Sequence, residues 1–326
     1  MYVEAIRKAI YDSMQELPNM IILGQGVWSP FYVGQSMDGI ESAFGKERVI
    51  DTPVSENAVT GIALGAALME YPTLVIHPRM DFMILAMDPI VNAAAKWRYA
   101  LNWQGEIPLT IRAIINRGGE QGAQHSQSLQ SWFAHIPGLR VVMPSSPRDA
   151  YYLLRQSMRC PDPVLFIEDR WSYAKEEIFS LDQPLLDLGV EEPRVLRQGT
   201  DITLIGVGHS TNDCLSAAEE LSDFDISAEV VDLRVLNPIK MRVILESINK
   251  TRRVLVVDAA WRTSSISSEL LARISEEVSQ NLLSKPKRLN LPDSPAPTSR
   301  KLEELYYPGV EQIFVLVKKI MEPTTG

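Results

Sequence analysis

Short runs of branched apolar residues alternate along this chain with longer segments whose apolar positions recur every three or four residues. Val3, Ile6, Ile10 and Met14 stand at helical spacing between Glu4, Arg7, Lys8 and Asp12, which predicts an amphipathic helix over 1–17. Met20-Ile21-Ile22-Leu23 reads as a buried strand closed by Gly24-Gln25-Gly26. A helix over 36–44, a strand over 48–50 and a long apolar helix starting near Ser55 follow. Strands over 74–76, 109–114, 139–142 and 164–167 then alternate with helices over 83–101 and 147–159. From about 174 to 200 the pattern breaks into acidic, proline-containing sequence. A second series starts with a strand over 201–207 and continues with a helix over 211–222 and a strand over 228–232. A helix over 239–249, a strand over 253–258 and helices over 264–279 and 310–320 complete it. Strands and helices alternating at this spacing predict α/β layers around mostly parallel sheets. The division expected is an α/β domain over 1–185, a linker over 186–200 and a smaller α/β domain over 201–326.

Composition narrows the class without naming a function. A chain of 326 residues suits about two domains, each able to bury a core. An apolar content of 45% and a charged content of 22% are those of a soluble globular protein. The net charge of -9 argues against nucleic acid or an anionic membrane surface as partner. Cys160 and Cys214 form no disulfide framework or metal spacing and read as free core thiols in a reducing compartment. The amino-terminal helix has neither the apolar core of a signal peptide nor the composition of a transit peptide. The longest apolar runs fall short of a membrane span. The expected location is the cytoplasm.

Three stretches follow successive predicted strands, where open α/β sheets bind ligands. The first is Asp51-Thr52-Pro53-Val54-Ser55-Glu56, whose turn leads into a helix with no charge between Asn57 and Glu70. Ser55 or Glu56 can cap that helix. Gly61 and Gly65 lie four apart on one face, where another backbone can come close. Such a helix is expected to be buried on most sides, with the Glu56 carboxylate held at its mouth. A carboxylate in that position needs a partner or a task, although helix starts favour negative side chains in any case. The second stretch is Arg79-Met80-Asp81-Phe82, and the third is Gly122-Ala123-Gln124-His125-Ser126-Gln127, after a glycine-rich loop. Trp132-Phe133 beyond it offers a cleft wall. No Gly-x-Gly-x-x-Gly fingerprint, P-loop, nucleophile elbow or zinc spacing occurs.

These stretches resemble the β subunit of the thiamine-diphosphate-dependent 2-oxo acid dehydrogenases, the E1 component of the pyruvate and branched-chain complexes. The likeness rests on Arg48-Val49-Ile50-Asp51-Thr52-Pro53-Val54-Ser55-Glu56, on Thr60-Gly61-Ile62-Ala63-Leu64-Gly65-Ala66-Ala67, and on Phe82 with Ala86-Met87-Asp88. It continues through Ala123-Gln124-His125-Ser126-Gln127, His135-Ile136-Pro137-Gly138-Leu139, Asp232-Leu233-Arg234 and Pro295-Ala296-Pro297. The resemblance implies a transketolase-like pyrimidine-binding domain followed by a transketolase-like carboxy-terminal domain. It implies that Glu56 hydrogen-bonds N1′ of the cofactor aminopyrimidine and, by sharing a proton there, promotes loss of the thiazolium C2 proton. Phe82 matches the aromatic residue that stacks on the pyrimidine, and His125 the histidine that faces the substrate. The family holds diphosphate and Mg²⁺ through a Gly-Asp-Gly motif on the other subunit, and this chain has no Gly-Asp-Gly. An α subunit carrying it, in an α2β2 heterotetramer serving a lipoyl-bearing acyltransferase, is therefore implied. A potassium ion held by backbone carbonyls is also implied, near Leu109, Ser157, Met158, Cys160 and Asp162.

Three departures bear on the substrate. Many relatives carry a carboxylate where this chain has Gln25, so the resemblance implies a neutral amide beside the cofactor. Arg79 stands where small or polar residues are common, and a guanidinium at a cleft mouth suits a substrate carboxylate or phosphate. Ala259-Ala260-Trp261-Arg262-Thr263 replaces an acidic, glycine-rich segment. The first expectation is decarboxylation of a 2-oxo acid with acyl transfer to lipoyl. The alternatives are the carboxy-terminal half of a two-subunit transketolase-like or carboligase enzyme with an aldehyde or sugar acceptor, and a non-catalytic assembly subunit.

Overall fold

A computed structural model describes residues 1–322 of the chain. It divides into two compact units. Residues 1–117 and 124–191 form the first; residues 118–123, with the chain from Glu192 onward, form the second.

In the first unit the strands are β1 (Ile21–Gly24), β2 (Val49–Asp51), β3 (Thr73–His77), β4 (Leu109–Ile115), β5 (Arg140–Val142) and β6 (Val164–Asp169). They pair in the order β5-β6-β4-β3-β1-β2, every neighbour parallel. Leu23 lies opposite Ile50 on one side and Val75 on the other. The central strands are apolar without alternation because a parallel sheet is covered on both faces, and β3, β4 and β6 are buried at every position. Two charges interrupt that run, and they answer each other. Arg112 on β4 and Glu168 on β6 form an ion pair with no exposed surface, Nη2 to Oε2 at 2.9 Å. Arg112 Nη2 also donates to Ser36 Oγ at 2.7 Å, and the Tyr173 hydroxyl donates to Glu168 Oε2 at 2.8 Å. Burial alone would lower the Arg112 pKa, but Glu168 outweighs it and holds the guanidinium raised.

The helix Tyr2–Glu16 packs against the helix Pro147–Ser157. The latter begins with Pro147 in its first turn and with Ser146 Oγ accepting the Asp149 N–H at 3.2 Å. Two expected helices differ. Only Ile40–Phe44 of 36–44 is α-helical, after Gly39 at φ 76°. The 83–101 segment breaks into Met80–Met83, a 3-10 turn Ile84–Ala86, a π segment Asp88–Ala94 and a last turn Trp97–Ala100. Pro89 lies in the π segment and has no N–H to continue an α ladder.

The helix Glu56–Leu68 also departs from expectation. It buries Val59, Thr60, Ala63, Leu64 and Ala67, but Gly61, Ile62 and Gly65 face outward. A Cβ at either glycine would meet nothing within 4 Å. Among the described residues the helix is covered on one side only.

The second unit holds β7 (Arg194–Arg197), β8 (Ile202–Val207), β9 (Ala228–Asp232), β10 (Val235–Asn237), β11 (Val254–Trp261) and β12 (Lys287–Leu291). Five of them pair as β12-β11-β8-β9-β7, parallel except for β7 against β9. Ile202, Leu204, Val230, Leu255 and Val257 build a core with the helices Ser210–Ser222 and Val310–Met321. Gly206 is explained by that packing, since a Cβ there would stand 2.3 Å from the Thr211 Cα. β7 lies inside the 186–200 stretch expected as linker. Neither it nor β12 stands out in the sequence, because both are half-buried edge strands that mix charged with apolar residues.

Candidate functional site

The strand order of the first unit locates a crevice before any side chain is considered. The connection from β1 runs to β2 at one edge, and that from β3 runs to β4 on the other side. At such a switch point the carboxyl ends of the two strands part and leave room for a ligand. Gly24 ends β1 here, and a Cβ on it would sit 2.9 Å from the Ile76 carbonyl of β3. The cleft above is lined by Gly24, Gln25, Thr52, Glu56, Ile76 and His77.

Two of the expected site residues, Glu56 and Gln25, thus share one cleft. Glu56 opens its helix and is 9% exposed. Ser55 occupies the capping position but makes no side-chain cap bond. Two hydrogen bonds knit the loops together. Asp51 Oδ1 accepts the Val27 N–H at 3.0 Å, and the Thr52 N–H reaches the Gly24 carbonyl at 3.1 Å. His77 lies on the same wall, its Nε2 3.0 Å from Oγ1 of Thr60, one turn beyond Glu56. Burial lowers its pKa to about 4, so the ring is neutral in ordinary conditions.

β3 runs on past His77 to Arg79, whose Nη1 donates to its own Pro78 carbonyl at 2.8 Å. The short helix Met80–Met83 then presents Phe82, 36% exposed, edge-on to His125 with ring centroids 5.2 Å apart. His125 follows β4, the third of the expected stretches. Ser126 Oγ donates to the Asn116 carbonyl at 3.3 Å, and Gln127 donates from both its backbone N–H and its amide to Asp81 Oδ1. Arg117 pairs with Asp169 at 2.7 Å and lies 4.5 Å from the Trp171 ring. The aromatic pair read as a cleft wall divides instead: Phe133 is in the core and Trp132 is half exposed.

Gln25, Glu56, Phe82 and His125 follow β1, β2, β3 and β4, and so share the carboxyl edge of the sheet. Leu109, Ser157, Met158, Cys160 and Asp162 do not join them. Leu109 starts β4 and Asp162 precedes β6, which puts this group at the amino edge. There the Ser157 carbonyl takes the Cys160 N–H, and the Asp162 carboxylate pairs with Arg98 and Arg140. Burial pushes the Cys160 thiol up to about 11. Among the described residues no group of three or more His, Cys, Asp or Glu could hold a metal ion.

A buried carboxylate at a helix start, with an open aromatic face along the same edge, suits a flat heteroaromatic ring bearing a basic nitrogen. The sequence reading missed His77, and it named Asp51 and Asp81 within two of its stretches without giving either a role. Asp81 had one signal, its place directly before Phe82.

Two family models match the chain. They are the transketolase pyrimidine-binding domain over residues 1–175 and the transketolase C-terminal domain over residues 191–313. The β subunit of acetoin:2,6-dichlorophenolindophenol oxidoreductase from Cupriavidus necator is 35% identical over 98% of this chain and 96% of its own. The 2-oxoisovalerate dehydrogenase β subunit of Bacillus subtilis is 36% identical over 98% of each. Among solved structures, a split-gene transketolase described as an inactive β4 tetramer aligns with TM-score 0.80 at 21% identity, covering 98% and 97% of the two chains.

Proposed function

The chain belongs to the transketolase-like family that includes these dehydrogenase β subunits, and we propose that it is the β subunit of a thiamine-diphosphate-dependent enzyme acting on a 2-oxo acid. The observation that carries this reading is the buried Glu56 carboxylate in the switch-point cleft, on one sheet edge with Phe82 and His125. Bound thiamine diphosphate would supply the nucleophilic carbon and the electron sink for decarboxylation. Glu56 would hydrogen-bond N1′ of its aminopyrimidine and share a proton there. The Phe82 face would take the ring, with the Gln25 amide beside it. His125 would hold or deliver a proton at the substrate oxygen, and Arg79 would engage the substrate carboxylate.

Diphosphate and Mg²⁺ would be held by an α subunit, a reading supported by the lack of a Gly-Asp-Gly motif in this sequence. The open face of Glu56–Leu68 supports such a partner in an α2β2 assembly that hands the acyl unit to a lipoyl domain. Backbone carbonyls around Leu109, Ser157, Met158, Cys160 and Asp162 would hold a K⁺. Two buried free cysteines suit a reducing, cytoplasmic setting.

The test is titration of thiamine diphosphate with Mg²⁺ into this chain alone and into its complex with the copurified partner. Binding in the complex only is expected; tight binding by the isolated chain would sink the split site. In the complex Glu56→Gln should bind but lose at least about a hundredfold in turnover. A second reading, an α-hydroxyketone substrate with an aldehyde product or acceptor, is favoured by the acetoin oxidoreductase subunit among the relatives. Dye reduction with pyruvate, 2-oxoisovalerate and acetoin separates the two, and turnover of acetoin alone would replace the first by the second.

A further inference from the structure

We propose that Asp81 is a positioning residue for His125, clamping the loop that carries it through Gln127 while its neighbour Phe82 sets the imidazole edge. The proposal rests on the substrate-facing role assigned to His125 above. Asp81 is 4% exposed, a costly place for a carboxylate without a task. Its Oδ1 accepts the Gln127 backbone N–H at 3.2 Å and the Gln127 Nε2 at 2.9 Å. The Oδ2 atom is buried and takes no hydrogen bond among the described residues. The carboxylate is therefore committed to one residue, two positions beyond His125. Phe82 is covalently next to Asp81 and meets the His125 ring edge-on at 5.2 Å. One short helix, Met80–Met83, thus fixes the loop backbone with one side chain and the ring with the next. Ser126, on the Asn116 carbonyl, fixes the residue between. A catalytic group displaced by about an ångström loses on the order of a hundredfold, so a clamp of this kind acts on turnover more than on folding.

The experiment is a double-mutant cycle in the assembled enzyme with thiamine diphosphate and Mg²⁺, using 2,6-dichlorophenolindophenol as electron acceptor. It is paired with amide exchange at Gln127 in the chain itself. Asp81→Ala is expected to lower kcat at least about tenfold with little change in KM, and to add little further loss in a His125→Ala background. Asp81→Asn keeps the Oδ1 acceptor and should restore most of kcat. The Gln127 amide should exchange at least about tenfold faster in Asp81→Ala than in the parent or in Asp81→Asn. Equal losses in both backgrounds would overturn the proposal, as would full turnover of Asp81→Ala beside an inactive His125→Ala. Should Asp81→Ala not fold, Gln127→Leu removes the 2.9 Å side-chain bond and answers the same question. Full turnover of His125→Ala would overturn the role of His125 itself and the positioning of it together. A fast Gln127 amide in Asp81→Ala would then report a clamp with no catalytic purpose.

Discussion

His77 is the residue on which burial and chemistry meet most directly. Its ring is 2% exposed, on the cleft wall it shares with Glu56. The linkage follows from the depressed pKa. An unfolded histidine titrates near about 6.5, and the folded ring at about 4. Between those values the unfolded chain binds a proton that the folded chain does not, so stability falls as pH drops through that window. The loss should reach about 2 kcal/mol at pH 5. Urea unfolding at pH 7 and pH 5 checks it: His77→Gln should lose about 2 kcal/mol less than the parent across that step. An equal loss would assign the acid sensitivity to other groups.

At the scale of elements, the paired charges inside β4 and β6 set the largest single liability. Removing one partner of a buried pair leaves the other uncompensated, which costs roughly 3–5 kcal/mol. Glu168→Gln should therefore lower the urea midpoint strongly and leave Arg112 without its counter-charge. A loss under about 1 kcal/mol would mean that Ser36 and Tyr173 satisfy the guanidinium unaided. β4 was legible in the sequence despite Arg112, because six apolar or β-branched residues surround it. Its partner Glu168 was not, since the strand over 164–167 was read one residue short of it. The 83–101 helix was legible as helical but not as broken. A change from α to 3-10 to π ladders leaves apolar spacing much as it was, and only Pro89 hinted at it.

For the whole molecule, the outward face of Glu56–Leu68 is the feature left open among the described residues. Gly61 and Gly65 have open space above them, with the apolar Ile62 between. Gly65→Leu should leave the melting temperature of the isolated chain unchanged or raised, since an exposed helical glycine costs about 1 kcal/mol against a good helix former. The same substitution should weaken assembly with the proposed α subunit, read by light scattering after gel filtration. Unchanged assembly would move the partner contact to another surface. No described helix is long and apolar enough to cross a membrane.

The sequence by itself determined the two α/β units, most of their strands and helices, and the motifs around Glu56, Phe82 and His125. Those features are local: apolar period, turn residues and short motifs are written in consecutive positions. The tertiary structure decided what lies between distant positions. The order β5-β6-β4-β3-β1-β2 opens a crevice beside Glu56, and His77 comes to its wall through Thr60. Asp81 finds Gln127, 46 residues away, and Arg112 finds Glu168, 56 residues away. No local pattern encodes such pairings, because they follow from how the strands stack. The same holds for the bare helix face, which an apolar composition alone could not distinguish from a buried core.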